Sequence, residues 1–304
     1  MKINKLITHN GTFHADDLFA CATLSIYLEK KGEDLDIIRT RNKEIILSGD
    51  YVFDVGGIYN PEQNRFDHHQ VGGAGKRENG IEYASFGLVW KHFGMELCEN
   101  NLKTWKKIDS KLVAPIDAVD NGIDAFEPKF KDIMQYNSEQ NFLIFSPTWQ
   151  EDESKIDDIF RSVVLDVVKV LKREIEVAKS DTLGVELLEG SYSSAINKKI
   201  IVSSTSFPRY LYQETLSGFL EPIYFVYPSN HSDTWKVEAI SKSPNTLESR
   251  KLFPEEWRNC FDNSSKLSEV TGVKDALFCH RSGFLMTVKS KEGALALAEL
   301  ALKN

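Results

Sequence analysis

The chain has 304 residues, 41 % of them hydrophobic and 27 % charged, which is the composition of an ordinary globular protein with room for one large domain or two of common size. Its formal net charge is −8, and neither half is basic, which argues against a protein that grips duplex nucleic acid through a broad cationic face. A nucleic-acid substrate is not excluded, because a metal centre supplies positive charge locally.

In chain order, Leu6-Ile7-Thr8 reads as a short strand running into polar residues. Asp16 to Lys31 reads as a helix with Gly32 as its stop. Asp36 to Thr40 and Tyr51 to Val55 read as strands, the second closed by Gly56-Gly57. Residues 81–97 are helical, with Phe86, Val89, Trp90 and Phe93 at spacings of three and four, and residues 102–118 continue in that style. Strands alternating with helices predict an α/β fold with a parallel sheet. Residues 154–179 carry the clearest apolar stripe, from Ile156 through Phe160, Val163 and Val167 to Ile175, a helix long enough to bridge two domains. Beyond residue 183, five segments read as strands: 199–203, 222–227, 235–240, 276–280 and 283–288. A closing helix over 291–303 completes a smaller, β-rich α+β domain. The expected organisation is a metal-binding catalytic domain over 1–150, a connecting helix over 151–182 and a substrate-binding domain over 183–304.

Cys21, Cys98, Cys260 and Cys279 form no Cys-x-x-Cys pair and lie within apparent elements, so they read as buried, reduced thiols. The N-terminus turns polar too early for a signal peptide, and no run reaches the roughly 20 apolar residues of a membrane span. A cytoplasmic protein without membrane association is the expectation.

Chemistry concentrates in four places. His9-Asn10-Gly11-Thr12-Phe13-His14-Ala15-Asp16-Asp17 follows the first strand, and Asp54 ends an apolar strand. Asp67-His68-His69-Gln70 lies in a polar, Gly-rich turn, and Asp120-Asn121-Gly122 follows a helical stretch. Ligands of open α/β sheets bind beyond the carboxyl ends of the strands, which is where these residues fall. Taken singly, Asp16-Asp17 reads as a helix cap and Asp120-Asn121-Gly122 as a turn, but all four clusters being caps and turns is the weaker reading. His92, in a helical stretch, and His231, in a polar loop, read as non-ligands. Mixed imidazole and carboxylate donors suit Mn, Zn or Fe(II) better than Ca or Mg. Six candidate ligands, His9, His14, Asp16, Asp54, His68 and Asp120, exceed one ordinary zinc site and suffice for two ions that share a carboxylate.

At these residues the sequence resembles the DHH phosphoesterase superfamily, which includes RecJ-type exonucleases, oligoribonucleases and manganese pyrophosphatases. The match is closest to the family of the melanocyte proliferating gene product, also called metal-dependent protein hydrolases. That family's His-Asn-Gly-x-Phe-His-x-Asp, Asp-Val-Gly-Gly, Asp-His-His-Gln and Asp-Asn-Gly blocks stand here at 9–16, 54–57, 67–70 and 120–122. Further resemblance at Pro147-Thr148-Trp149, Glu248-Ser249-Arg250-Lys251, Pro254-Glu255-Glu256-Trp257, Gly283-Phe284 and Glu292 to Ala296 extends it over nearly the whole chain.

The resemblance implies a parallel-sheet DHH domain with a smaller C-terminal domain closing over the cleft. By it, His9, His14 and Asp54 hold one ion, and Asp16, Asp54, His68 and Asp120 the second, both most simply Mn. His69 would face the scissile phosphate as a hydrogen-bond donor. The implied activity is exonucleolytic cleavage of RNA or short oligonucleotides from the 3′ end. The competing readings are a small nucleotide or pyrophosphate-like substrate and a metal-bound RNA- or partner-binding protein without turnover. Oligomeric state is left open, a homodimer included. Phosphate contacts in the second domain are expected from Arg250 and Lys251, then His280 and Arg281, with Asp17 and Asp117 orienting imidazoles or capping helices. One departure stands out: after Gly283-Phe284 the family carries a small apolar residue and Gly-Gly, whereas this chain has Leu285, Met286 and Thr287, side chains that would narrow a groove there.

Overall fold

The computed structural model describes residues 2–133, 136–137, 139–244, 246–260 and 263–304. The chain divides into two compact units, Met1–Lys179 and Ser180–Asn304.

In the first unit, β1 (Ile3–Thr8) leads to α1 (Ala15–Lys31), β2 (Asp34–Arg39), α2 (Lys43–Leu47), β3 (Tyr51–Phe53), β4 (Tyr59–Asn60) and β5 (Arg65–Phe66). The helices α3 (Ser85–Leu97), α4 (Leu102–Ile108), α5 (Ala114–Asp120) and α6 (Gln140–Leu143) follow. The sheet order is β2-β1-β3-β5-β4. β1 pairs in parallel with β2 and β3, and β3 in parallel with β5, while the edge strand β4 runs antiparallel to β5. The expected parallel sheet is therefore present, with one short antiparallel edge.

Helix α1 is the centre of this unit. Acidic Asp16 and Asp17 open it and Lys30 and Lys31 close it, as the helix dipole favours. Gly32 ends it with φ +70°, a left-handed cap that glycine adopts without steric cost. Its residues from Ala15 to Leu24 are all buried, so polarity marks only its ends. Phe19 packs against Phe86, and Tyr27 against Phe93, at ring-centroid distances of 5.1 and 4.5 Å, which joins α1 to α3.

The single helix expected over 102–118 is divided. A five-residue π-helical turn, Asp109–Val113, separates α4 from α5. Pro115 has no N–H to offer the carbonyl four residues earlier, so a widened turn ahead of it accommodates the ring. The long helix α7 (Ile156–Ser194) runs 39 residues, well beyond the expected end at 179.

The second unit has a five-stranded sheet ordered β6-β7-β8-β10-β9, built from β6 (Ile200–Val202), β7 (Tyr224–Pro228), β8 (Trp235–Ala239), β9 (Ala276–Cys279) and β10 (Leu285–Val288). β6 and β7 are parallel and the other pairs antiparallel. The helices α8 (Arg209–Ser217), α9 (Glu255–Arg258), α10 (Ser264–Thr271) and α11 (Lys291–Lys303) complete it. Both sheet faces are covered. Tyr224, Val226, Val237, Met286 and Val288 pack with Leu297 and Ala301 of α11, while Phe225 and Tyr227 pack with Leu211 and Tyr212 of α8. The period of two along β7 sends alternate aromatics to opposite faces.

This settles the side chain at the Leu285-Met286-Thr287 departure. Met286 is fully buried in the core shared with α11, paired with Val237 and Cys279 across the sheet, so its side chain narrows no groove. Met286→Gly is expected to lower unfolding stability by about 3–5 kcal/mol, through the deleted side chain and the added backbone freedom. Denaturant titration checks this, and a loss under about 1 kcal/mol would contradict the packing described.

Candidate metal centre

Three adjacent parallel strands deliver the site. Their carboxyl ends lie side by side, so the residues that follow converge. His9 follows β1, Asp54 follows β3, and Asp67-His68-His69 follows β5. His14 is the N-cap residue of α1, Asp16 lies in that helix's first turn, and Asp120 is the last residue of α5.

Asp54 is the junction. Its backbone is left-handed, φ +55°, uncommon for a residue with a side chain and a conformation that active sites hold at a cost of about 1–3 kcal/mol. One carboxylate oxygen lies 3.2 Å from His9 Nε2, and the other 3.4 Å from His68 Nε2. His68 Nε2 is also 3.2 Å from Asp120. The donor atoms fall into overlapping groups: His9, His14 and Asp54; Asp16, His68 and Asp120; and Asp54, His68 and His69. All six sequence-derived ligand candidates thus meet in one place.

The donors fit a divalent cation. Asp54 Oδ1 and His68 Nε2 are buried without a well-formed hydrogen bond, a costly arrangement that coordination would relieve. Imidazole nitrogen mixed with carboxylate oxygen is the donor chemistry of Mn, Zn and Fe(II). Burial disfavours charge on Asp54, yet His68 and His9 outweigh it and hold its carboxyl well below the usual carboxylate range. Burial likewise opposes charge on His68, but Asp120 and Asp54 raise it to about 11. Asp16 moves well upward through burial and the neighbouring charges of Asp120 and Asp54.

Surrounding groups fix these donors. Asp16 accepts from the backbone N–H of Ser85 (3.1 Å) and Phe86 (2.7 Å), tying α1 to the start of α3. Asp17 accepts from His14 N at 2.9 Å, capping α1, and lies 3.3 Å from His9 Nε2, while the other ring nitrogen of His9 is held by the Asn10 carbonyl at 3.1 Å. Asp117 caps α3 through Gly87 N (3.0 Å) and meets Arg77 at 2.6 Å. Gly87 has no room for a side chain, since a Cβ would lie 1.9 Å from Asp117 Oδ2. His92 packs against Phe66 and Phe93.

His69 differs from the rest. Its side chain is 62 % exposed, and its Nδ1 lies 2.8 Å from Asp67, which raises its basicity. Asp67 also accepts from Gly57 N and His69 N, so this buried carboxylate ties the two glycine-flanked blocks together. His69 opens onto a cavity of about 490 Å³, lined among others by His9, His14, Asp54, Asp120, Arg41 and Glu139.

Sequence reasoning gave no role to Asp67, Arg77, Arg41 or Glu139. Asp67 was visible inside Asp-His-His, but the other three sit in irregular segments without periodicity or motif. In the second unit, the residues expected to contact phosphate lie as follows. Arg250 uses both terminal nitrogens on the carbonyls of Ser217, Phe219, Leu220 and Pro222, and Lys251 bonds the carbonyl of Leu302. Both side chains thus cap backbone carbonyls of their own unit. His280 accepts from Ser282 N and packs against Phe284, and Arg281 is exposed.

Residues 5–302 match the family described as "Uncharacterised protein family (UPF0160)". "MYG1 exonuclease" of Homo sapiens is 29 % identical, over 97 % of this chain and 85 % of that protein. The Mus musculus protein of the same name is 30 % identical, over 97 % and 84 %. "MYG1 protein" of Dictyostelium discoideum is 29 % identical, over 96 % and 94 %. A crystal structure of RecJ with Mn2+ from Thermus thermophilus aligns at 11 % identity with a TM-score of 0.27, too low to define the fold; this chain spans about half of its length, 52 %.

The α/β fold, the His/Asp centre and these relatives define a metal-dependent phosphoester hydrolase. With nearly its whole length matched, the chain belongs to the UPF0160 family, whose relatives bear the MYG1 name. Among the described residues, no helix is long and apolar enough to cross a membrane.

Proposed function

We propose that this protein is a phosphodiesterase that uses two divalent ions, Mn in the first instance, to remove nucleotides from the 3′ end of RNA or short oligonucleotides. The observation that carries the reading is Asp54, whose two oxygens face two different imidazoles, as a carboxylate shared by two ions would. His9, His14 and Asp54 would hold one ion, and Asp16, Asp54, His68 and Asp120 the other. Bound ions would supply an activated water and charge stabilisation for in-line displacement at phosphorus. The name of the mammalian relatives, MYG1 exonuclease, supports a nucleic-acid substrate.

His69 would donate from its open Nε2 to a phosphate oxygen while Asp67 holds Nδ1, a donor positioned where charge develops. His69→Ala is expected to keep the metal content of the wild type and lower kcat by about 10²–10³-fold. Loss of metal in that variant, read by elemental analysis, would assign His69 as a ligand instead.

Metal affinity should rise with pH. His9 and His68 are both raised above the ordinary imidazole value, since Asp54 and Asp17 beside one and Asp120 and Asp54 beside the other outweigh burial. A cation must displace those protons, so protons compete and the apparent Kd falls as pH rises through neutrality. Calorimetry in buffers of different ionisation heat should show proton release; zero release would contradict the ligand set.

The direct test is turnover of end-labelled RNA with added Mn. Stepwise mononucleotide release from the 3′ end is expected. Release from the 5′ end would reverse the polarity, and cleavage confined to small nucleotides or pyrophosphate would replace the substrate class.

A further inference from the structure

A second cavity of about 470 Å³ adjoins the metal cavity. The two share one wall, formed by Arg41, Val55, Gly56 and Gly57. Away from that wall the second cavity is lined by Ile46 and Val52, which with Val55 form an apolar floor, and its rim carries Leu47, Ile58 and Lys43. Leu47 is 72 % exposed and Ile58 49 %, so large apolar surface faces solvent around one groove. The cations differ in availability. Arg65 spends its guanidinium on the carbonyls of Gln63, Asn64 and Gly49. Arg41 and Lys43 are exposed and have no hydrogen-bond or ion-pair partner among the described residues. Apart from imidazoles, Arg41 is the one cationic side chain among the described residues lining the metal cavity, where it stands among acids that would be neutralised by metal.

We propose that this second cavity is a nucleotide subsite, which rests on the phosphodiesterase reading above. Arg41, at the junction, binds the phosphate next to the scissile one, with its planar fork suited to bidentate contact. Lys43 adds charge on the outer rim, and the apolar floor takes the base of the adjoining nucleotide. Charge complementarity selects this occupant: an apolar peptide would leave two unpaired cations on the rim, whereas a nucleotide matches both the floor and the charges. The position of the shared wall makes the subsite serve chain substrates over isolated phosphoesters. It also accounts for the placing of Arg41 and Lys43 together on a protein of net charge −8.

The test compares a triribonucleotide, which has a phosphate beyond the scissile one, with bis(4-nitrophenyl) phosphate, which has none. The variants are Arg41→Ala/Lys43→Ala and, separately, Ile58→Asp, all at exposed positions. The ratio of kcat/KM for the trinucleotide to that for the small diester is expected to fall about tenfold or more in each. Fluorescence anisotropy of a labelled triribonucleotide on metal-free protein should show the same loss in affinity. An unchanged ratio and unchanged affinity, with the wild type active on RNA, would overturn the subsite and leave the exonuclease reading standing. A wild type that cleaves the small diester but neither cleaves nor binds the trinucleotide would overturn both.

Discussion

Asp54→Asn is expected to bind neither ion stably and to lose turnover by about 10³-fold or more, since several kcal/mol of transition-state stabilisation depends on the metal. The substitution isolates charge from backbone geometry. Asp54 sits at φ +55°, and Asn tolerates that region as well as Asp does, so the strand end keeps its shape. The amide offers one oxygen in place of two and no charge, and it faces His9 on one side and His68 on the other. Metal analysis and single-turnover assays on one preparation, with circular dichroism to confirm the fold, check this. If Asp54→Asn retains two equivalents of Mn, the carboxylate does not bridge.

Arg77→Met is expected to cost about 3–5 kcal/mol of unfolding stability, the range for removing one partner of a buried pair. Arg77 makes a bidentate contact with Asp109 at 3.1 and 2.9 Å and a third bond to Asp117 at 2.6 Å. Its side chain is 7 % exposed and that of Asp117 is fully buried, so the carboxylate would be left with Gly87 N alone. Burial already pushes the Asp117 carboxyl up to about 7 against the pull of Arg77; without the cation it moves higher. The same residue ties the loop after His69 to the helix that ends in Asp120, so kcat should fall even where the variant folds. By contrast Lys172→Met, which breaks an exposed pair with Glu29, should change stability by less than about 1 kcal/mol. Equal effects of the two substitutions in urea titrations would refute the network's role.

Much of the site was legible in the sequence for a physical reason. Metal donors of an α/β sheet gather at strand ends, and His9 and Asp54 each follow an apolar run that announces a strand, while His68 is marked by its Asp-His-His block. Their clustering needed only that the strands be neighbours, which β1, β3 and β5 are. The long elements were legible as well: α1 from its capped ends, α3 from its spacing of three and four, and the second sheet from its short apolar segments. Other features were hidden by length or by context. β4 and β5 have two residues each, too few for a period. The π turn at Asp109–Val113 interrupts a pattern that reads as continuous helix, and only Pro115 hints at it. The carbonyls that Arg250 and Lys251 bond were hidden, because charge is visible in sequence and distant backbone partners are not. Arg77 was invisible for a similar reason, since its partners lie 32 and 40 residues away.

The most direct test of the account is an anomalous difference map at the manganese edge, from crystals of the wild-type protein grown with Mn. Two peaks are expected, one on each side of the Asp54 carboxylate, the first beside His9 and His14 and the second beside Asp16, His68 and Asp120. A map with no peak there, or with a single peak that Asp54 does not touch, would contradict the metal centre on which the hydrolase assignment stands.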